Sequence, residues 1–177
     1  MRIFLALPFS EQLYPEVDAL RNEFSELPVR WLKNSNLHVT LVPPWEIADE
    51  ELLELLAKLD QVETPQPFTA EFNKFSSGPN LKAPRLLWAT GPKAPSELLR
   101  LKNDLERLVS YRPDRAFTLH ATLARFNRDA LNASAKLSNI SKTLHWRMLI
   151  NEFALMKSEL RSDGAEYTII QRFSFHE

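Results

Sequence analysis

The sequence predicts an α+β protein with two lobes related by a pseudo-two-fold axis. The first observation is a pattern, Leu-His-x-Thr-Leu, that occurs at residues 37–41 and again at residues 119–123. The second is the order strand, amphipathic helix, His-x-Thr strand, helix, strand, which runs from residue 2 to 75 and again from 85 to 157. The halves hardly match outside the pattern, so the architecture is duplicated and each lobe offers one His-x-Thr strand to a shared cleft.

Length and composition fit one domain, residues 1–177, of two intimately packed lobes. A net charge of −1 argues against a protein that coats nucleic acid. The absence of cysteine excludes disulfides, thiolate zinc sites and cysteine nucleophiles. The chain has no run of about 18 apolar residues for a membrane span, and its short apolar start does not form a signal peptide. We therefore expect a monomeric, cytoplasmic protein that does not associate with membranes.

Periodicity assigns the elements of the first half. Residues 2–7, which are apolar from Ile3 onward, predict a strand that Pro8 ends. Apolar residues spaced 4, 3, 4 and 3 apart from Leu13 to Leu27 predict a helix whose regular part begins near residues 14–15. The remaining predictions are a short strand at 29–32, the first His-x-Thr strand at 37–42 ended by Pro43 and Pro44, a helix at 50–59 capped by Asp49, and an alternating strand at 68–75.

The second half repeats this order. Residues 85–90 predict a strand, and leucines spaced 3, 4 and 3 apart predict a helix from Ser96, as its cap, to about residue 110. The second His-x-Thr strand is predicted at 117–126, and a weaker helix at 129–140. Residues 148–156 and 166–175 predict two closing strands joined by a hairpin turn at 162–164.

The repeated pattern is the candidate catalytic feature. Residues i and i+2 of a strand point to the same face, so His38 lies beside Thr40, and His120 beside Thr122. Two histidines facing one cleft form an acid–base pair near neutral pH, and threonine hydroxyls can donate to anionic oxygens. This combination suits phosphodiester cleavage and requires no metal ion or other cofactor.

Other interpretations of the pattern are less favourable. A single His-x-Thr strand is more often structural than catalytic, and only the duplication makes the catalytic interpretation preferable. A metal site is disfavoured because catalytic zinc usually has three protein ligands and neither pattern carries an acidic residue at i±2. Three glycines cannot build a P-loop or a dinucleotide-binding turn. His145 and His176 lack this context and are expected on the surface.

Arg125 is a further candidate for substrate binding. It lies five residues after His120, on the opposite face of an ideal strand, where it would be a surface arginine unless a bulge or a strand end turns it into the cleft. There it could bind a phosphate through two hydrogen bonds. Trp45 and Phe126 could stack on a base, but a role in the core is favoured for both.

The paired patterns resemble the 2H phosphoesterase superfamily and, within it, the LigT/ThpR-like RNA 2′,3′-cyclic phosphodiesterases, also called 2′-5′ RNA ligases. The resemblance covers nearly the whole chain. It is carried by five stretches: residues 3–8, 36–41, 84–88 and 120–125, together with the ending that contains Leu155, Ser158, Gly164, Tyr167 and Phe173.

This resemblance implies antiparallel sheets that line a central cleft, with helices outside. It implies hydrolysis of a ribose 2′,3′-cyclic phosphate, on an RNA end or a small cyclic nucleotide, to a 2′-phosphate. His38 would be the proton donor and His120 the proton acceptor. Thr40, Thr122 and Arg125 would bind the phosphate. Residues 42–46, Val-Pro-Pro-Trp-Glu, depart from the Phe-Leu-Gly-Glu that is common in the family.

Two other functions remain open at this point. The same site could act on 2′-5′ linked oligonucleotides or cyclic ribose phosphates, or catalyse 2′-5′ ligation. The protein could also be a non-catalytic nucleotide- or RNA-binding module, although such a module does not need two proton carriers.

Overall fold

The computed structural model describes residues 1–80, 82–127, 140–162 and 164–176, which form two antiparallel sheets and three α-helices. The strands are β1 (Arg2–Pro8), β2 (Val29–Trp31), β3 (His38–Glu46), β4 (Phe68–Gly78), β5 (Leu86–Thr90), β6 (His120–Phe126), β7 (Ser141–Ile150), β8 (Glu152–Arg161) and β9 (Gly164–Ser174). The α-helices are α1 (Tyr14–Glu23), α2 (Leu52–Leu59) and α3 (Ser96–Leu108). The predicted α+β class is confirmed.

The sheets exchange strands between the two halves of the chain. One sheet has the order β3-β1-β8-β9, and the other has the order β2-β6-β5-β4-β7. Each His-x-Thr strand pairs with the first strand of its own half, β3 with β1 and β6 with β5. The next neighbour comes from the other half, because β8 pairs with β1 and β4 pairs with β5. The lobes are therefore pseudo-symmetric, but neither lobe coincides with one half of the sequence.

Alternation along the strands separates a core face from a cleft face. In β1, Ile3, Leu5 and Leu7 are buried in the main core, which also receives the apolar faces of the three helices. Phe4 and Ala6 point to the other face, where they form a smaller cluster with strand β8. Alternation thus turns one face of this sheet toward the main core and the other face away from it.

Two strand boundaries differ from the prediction. β3 continues through Pro43 and Pro44 to Glu46, because it is an edge strand and a missing N–H costs little at an edge. The predicted single strand at 148–156 is wrong. The chain leaves β7 at Ile150 and enters β8 at Glu152, so one apolar run serves two different sheets.

Smaller differences concern the ends of elements. The first helix ends at Glu23. The helix predicted at 50–59 with Asp49 as its cap starts instead with a 3-10 turn, Asp49–Glu51, and α2 follows from Leu52. The N-cap of that turn is Ala48, whose N–H donates to the Glu51 carboxylate at 3.0 Å. Ser96 is the first residue of α3, and residues 117–119 precede β6 instead of belonging to it. The helix predicted at 129–140 lies outside the described residues, save its last position. The closing hairpin is confirmed by the pairing of β8 with β9.

Candidate active site

Both histidines are held in the same way at the start of their strands. His38 Nδ1 lies 2.7 Å from the Asn36 carbonyl oxygen, and His120 Nδ1 lies 2.8 Å from the Thr118 carbonyl oxygen. A carbonyl only accepts hydrogen bonds, so in each ring Nδ1 must carry the proton. Each neutral imidazole therefore keeps Nε2 as its free, basic nitrogen.

Each threonine lies on the same strand face as its histidine. Thr40 is paired with Ala6, and Thr122 with Trp88. All four His and Thr side chains are partly exposed, whereas the intervening Val39 and Ala121 are fully buried. The geometry therefore gives each strand one imidazole and one hydroxyl directed away from the core.

Both strands contain a bulge directly after the threonine. Val42 and Thr40 are paired with adjacent residues of β1, which leaves Leu41 as the extra residue. In β6, Ala124 and Thr122 are paired with adjacent residues of β5, so Leu123 is extra. A bulge reverses the alternation of side chains beyond it. Two consecutive residues are consequently buried in each strand, Leu41 with Val42 and Leu123 with Ala124.

The bulge in β6 places Arg125 on the face of His120 and Thr122. Arg125 is exposed, between the buried residues Ala124 and Phe126. Its charge also affects His38 on the other sheet, because it is among the groups that lower the pKa of that imidazole. The same bulge in β3 puts Pro43, also exposed, at the position that corresponds to Arg125.

Burial controls the protonation of both histidines. Desolvation lowers the pKa of His38 to about 4, against the opposing effect of the hydrogen bond to Asn36, and the nearby His120 and Arg125 lower it further. Desolvation also lowers the pKa of His120, opposed by the bond to Thr118 and assisted by Arg115. Without a bound anion, both rings are neutral at pH 7.

Different aromatic residues support the two imidazoles. The His38 ring lies 5.1 Å from the ring of Tyr167, edge to face, and 5.0 Å from Phe4. His120 lies 5.1 Å from Trp88, whose indole N–H donates to Ser76 Oγ at 3.2 Å. These contacts fix the planes of the rings as well as their positions.

Asn36 connects His38 to the closing hairpin. Its side-chain amide donates to the Ala165 carbonyl at 3.0 Å and accepts from the Tyr167 N–H at 3.2 Å. The backbone carbonyl of the same residue holds His38. Asn36 is buried, so these bonds are shielded from water. In the sequence, Asn36 and Tyr167 stand out only as parts of the family resemblance, and no local signal predicts this connection.

Other candidate residues do not reach the site. Phe126 is buried in the core, and Trp45 packs against the core beside α2, so the favoured core role is correct for both. His145 and His176 are exposed, as predicted. Within the described residues, no group of three or more His, Asp or Glu side chains is arranged to hold a metal ion, and no helix is long and apolar enough to cross a membrane.

Two pseudo-symmetric sheets, each presenting a carbonyl-bound histidine and a threonine on its non-core face, define the class of two-histidine phosphoesterases. The family model of LigT like phosphoesterases matches residues 3–88 and 91–167. The chain belongs to this family, as the sequence predicted.

Relatives and solved structures agree with this assignment. The chain is 30% identical to the RNA 2′,3′-cyclic phosphodiesterase of Archaeoglobus fulgidus, over 98% of this chain and 99% of the relative. It is 23% identical to the enzyme of the same name from Aquifex aeolicus, over 98% and 96% of the two chains. The structure of TT0787 of Thermus thermophilus superposes with a TM-score of 0.82 at 26% identity, covering 99% of this chain and 98% of that one. The structure of E. coli LigT complexed with 3′-AMP superposes with a TM-score of 0.81 at 23% identity and the same coverage, which shows a similar fold.

Proposed function

We propose that the protein hydrolyses ribose 2′,3′-cyclic phosphates, on RNA ends or small cyclic nucleotides, to 2′-phosphates, without a metal ion. The observation that supports this most directly is the duplicated bond from Nδ1 of each histidine to a backbone carbonyl. It leaves two free Nε2 atoms, one from each sheet, for proton transfer. The names of the relatives, RNA 2′,3′-cyclic phosphodiesterase, agree with this substrate class.

In the proposed reaction, His120 Nε2 accepts a proton from water as the water oxygen bonds to phosphorus. The bond from phosphorus to the ribose 3′-oxygen breaks, and His38 gives that oxygen a proton. Thr40, Thr122 and Arg125 bind the non-bridging oxygens, where negative charge increases in the transition state. The product is a 2′-phosphate monoester, and a second proton exchange with solvent restores both histidines.

The lowered pKa values specify how the donor becomes charged. His38 is neutral in the free protein at pH 7, and a bound phosphate anion raises the pKa of a neighbouring imidazole. Substrate binding therefore brings a proton to the site. The pH profile of kcat/KM depends on the pKa values of the free protein. We therefore expect a bell-shaped profile with its optimum below pH 6.5, the ordinary histidine pKa. The profile of kcat depends on the pKa values of the complex, so its optimum lies at higher pH.

The deciding experiment is an assay on 2′,3′-cyclic AMP with and without EDTA, with the product identified by chromatography. We expect adenosine 2′-phosphate at a rate that EDTA does not change. A 3′-phosphate product, or loss of turnover with EDTA, contradicts the proposal. Tight binding of adenosine 2′-phosphate without any turnover would define a binding module instead.

The roles of the two histidines can be separated by the leaving group. The test compares 2′,3′-cyclic AMP with 3′-deoxyadenosine 2′-(4-nitrophenyl phosphate). The leaving group of the second substrate, nitrophenolate, departs without needing a proton. His38→Ala should recover most of its lost rate on the nitrophenyl ester, and His120→Ala should not. The opposite pattern reverses the assignment of donor and acceptor.

A further inference from the structure

A cavity of about 320 Å³ lies next to His38 and is lined by residues of both sheets. Tyr167, which contacts His38, lines it together with Asn36 and Arg125, so it opens directly beside the proposed site. Its other walls come from β2, the segment before β3, and the β8–β9 hairpin. The charged residues of its lining, within the described part of the chain, are Arg30, Lys33, Arg125, Arg161 and Glu166.

This lining is basic although the protein is not. It carries four positive side chains and one negative side chain, on a chain with a net charge of −1. Arg161 is balanced locally, since it forms ion pairs with Glu166 at 2.6 Å and Glu159 at 3.9 Å. Arg30 and Lys33 are at least partly exposed and add positive charge beyond Arg125. The cavity therefore has the electrostatic character of an anion-binding surface.

Arg30 and Arg125 stand directly opposite each other in the antiparallel pair of β2 and β6. Like charges at such a position destabilise a sheet, so the pair has an energetic cost in the free protein. A polyanion in the cleft would convert this repulsion into two favourable contacts. The register of the sheet thus places two guanidinium groups side by side, one at the histidines and one farther along.

The position of the Arg30 side chain is also defined by the opposite wall. Its guanidinium lies against Gly164, the first residue of β9, so closely that a Cβ on this glycine would overlap it. Gly164 has a φ of 130°, which other residues rarely adopt. Arg30 consequently reaches from one sheet to the hairpin of the other, across the cavity.

We infer that Arg30 and Lys33 form a subsite beside the histidines, where they bind the phosphates of nucleotides upstream of the cyclic phosphate when the substrate is an RNA end. This inference rests on the proposed function. A free cyclic nucleotide has a single phosphate, which the histidines, threonines and Arg125 already take. An RNA chain brings one further phosphate with each upstream nucleotide, and these are the anions that the cavity can hold.

The test compares two substrates: 2′,3′-cyclic AMP and a six-nucleotide RNA that ends in a 2′,3′-cyclic phosphate. The measured quantity is the ratio of kcat/KM for the RNA to kcat/KM for cyclic AMP. We expect this ratio to fall about tenfold in Arg30→Gln and about tenfold in Lys33→Gln, because each single variant loses one charge-assisted contact to a phosphate. The matched control is Arg107→Gln, which removes the same charge from an exposed position of α3 outside the cavity lining and should leave the ratio unchanged.

Salt provides a second measurement. The logarithm of the RNA dissociation constant, measured with the six-nucleotide product, should depend less steeply on the logarithm of salt concentration in Arg30→Gln, by about 0.7 per lost contact. The inference is overturned if both cavity variants behave like Arg107→Gln, or if wild-type protein prefers cyclic AMP. If neither substrate is hydrolysed, the proposed function fails instead, and the two failures are distinguishable.

Discussion

The two histidine strands are alike as far as the bulge that follows the threonine, and they differ beyond it. β3 and β6 share the histidine, its bond to the carbonyl two residues earlier, the threonine and the bulge that follows. After the bulge, β3 presents Pro43 where β6 presents Arg125. The aromatic support differs as well, with Tyr167 and Phe4 beside one ring and Trp88 beside the other.

This difference separates two tasks of the site. Proton transfer needs a donor and an acceptor, and in the proposed reaction the duplicated part supplies both. Recognition needs asymmetry, because a cyclic phosphate has one ring oxygen to lose and one to keep. β6 presents Arg125 where β3 presents Pro43, and in the proposed reaction this arginine gives the phosphate a defined orientation relative to the two histidines.

The largest effects are expected from variants of the two histidines, which β3 and β6 share. Replacing His38 or His120 by alanine should each lower kcat for 2′,3′-cyclic AMP by about 10²–10⁴-fold, because each removes one proton carrier. The double variant should lose little more than the worse single variant, since the two act as a unit. His145→Ala, at an exposed position of β7, is the control. Wild-type rates in both single variants would show that the acid–base assignment is wrong.

The asymmetric part should be more sensitive on one side. Arg125→Gln should lower kcat/KM by about 10–100-fold, through loss of hydrogen bonds from a charged group to phosphate. Pro43→Ala, at the corresponding position of β3, should change it by less than about threefold, because it removes no polar contact. Equal losses in the two variants, measured by steady-state kinetics, would contradict the proposed orientation.

The threonines test the hydroxyl donors with almost no change in shape. Thr40→Val and Thr122→Val should each lower kcat by about 3–10-fold, the effect of one neutral hydrogen bond. The matched control is Thr143→Val, at an exposed position of β7, for which we expect the wild-type rate. An effect on KM alone would mean that the hydroxyls bind substrate and transition state equally well.

The last expected effect is on stability and not on the rate. The pKa of His38 is about 4 in the folded protein and 6.5 as the ordinary value, so the unfolded chain binds more protons between these limits. The free energy of unfolding therefore contains a contribution from His38 that is present above pH 6.5 and is lost as the pH falls through 4. His38→Gln should have a flatter pH dependence in urea titrations over this window than His145→Gln. Equal slopes would show that the pKa of His38 is not lowered in the folded protein.

Sequence reasoning was successful where a local pattern determines the structure. The placement of His38 and Thr40 on one strand face, and of His120 and Thr122 on another, follows from strand alternation alone. The helices follow from leucines at 3,4 spacing, although their first and last residues shift with local capping. Arg125 has the wrong parity for an ideal strand, so it could be stated in advance that a bulge or a strand end must turn it toward the cleft. The register of β6 contains a bulge, which decides between the two.

The remaining features depend on residues far apart in sequence. Arg30 becomes part of the cleft only because β2 pairs with β6, and nothing near it in the sequence indicates this. Asn36 bonds residues about 130 positions later. The end of β7 and the start of β8, on either side of Asn151, cannot be recognised from the sequence because both strands are apolar there. Such features are set by tertiary pairing, which periodicity does not encode.

The exchange of strands between the two sheets limits how this enzyme could be divided. Each sheet contains strands from both sides of the connection between β4 and β5, so a chain cut there yields two fragments that each lack part of both sheets. Neither fragment can build half of the site, despite carrying one complete His-x-Thr strand. Two such fragments would therefore be active only after they associate. The measured activity would then be proportional to the amount of reassembled protein.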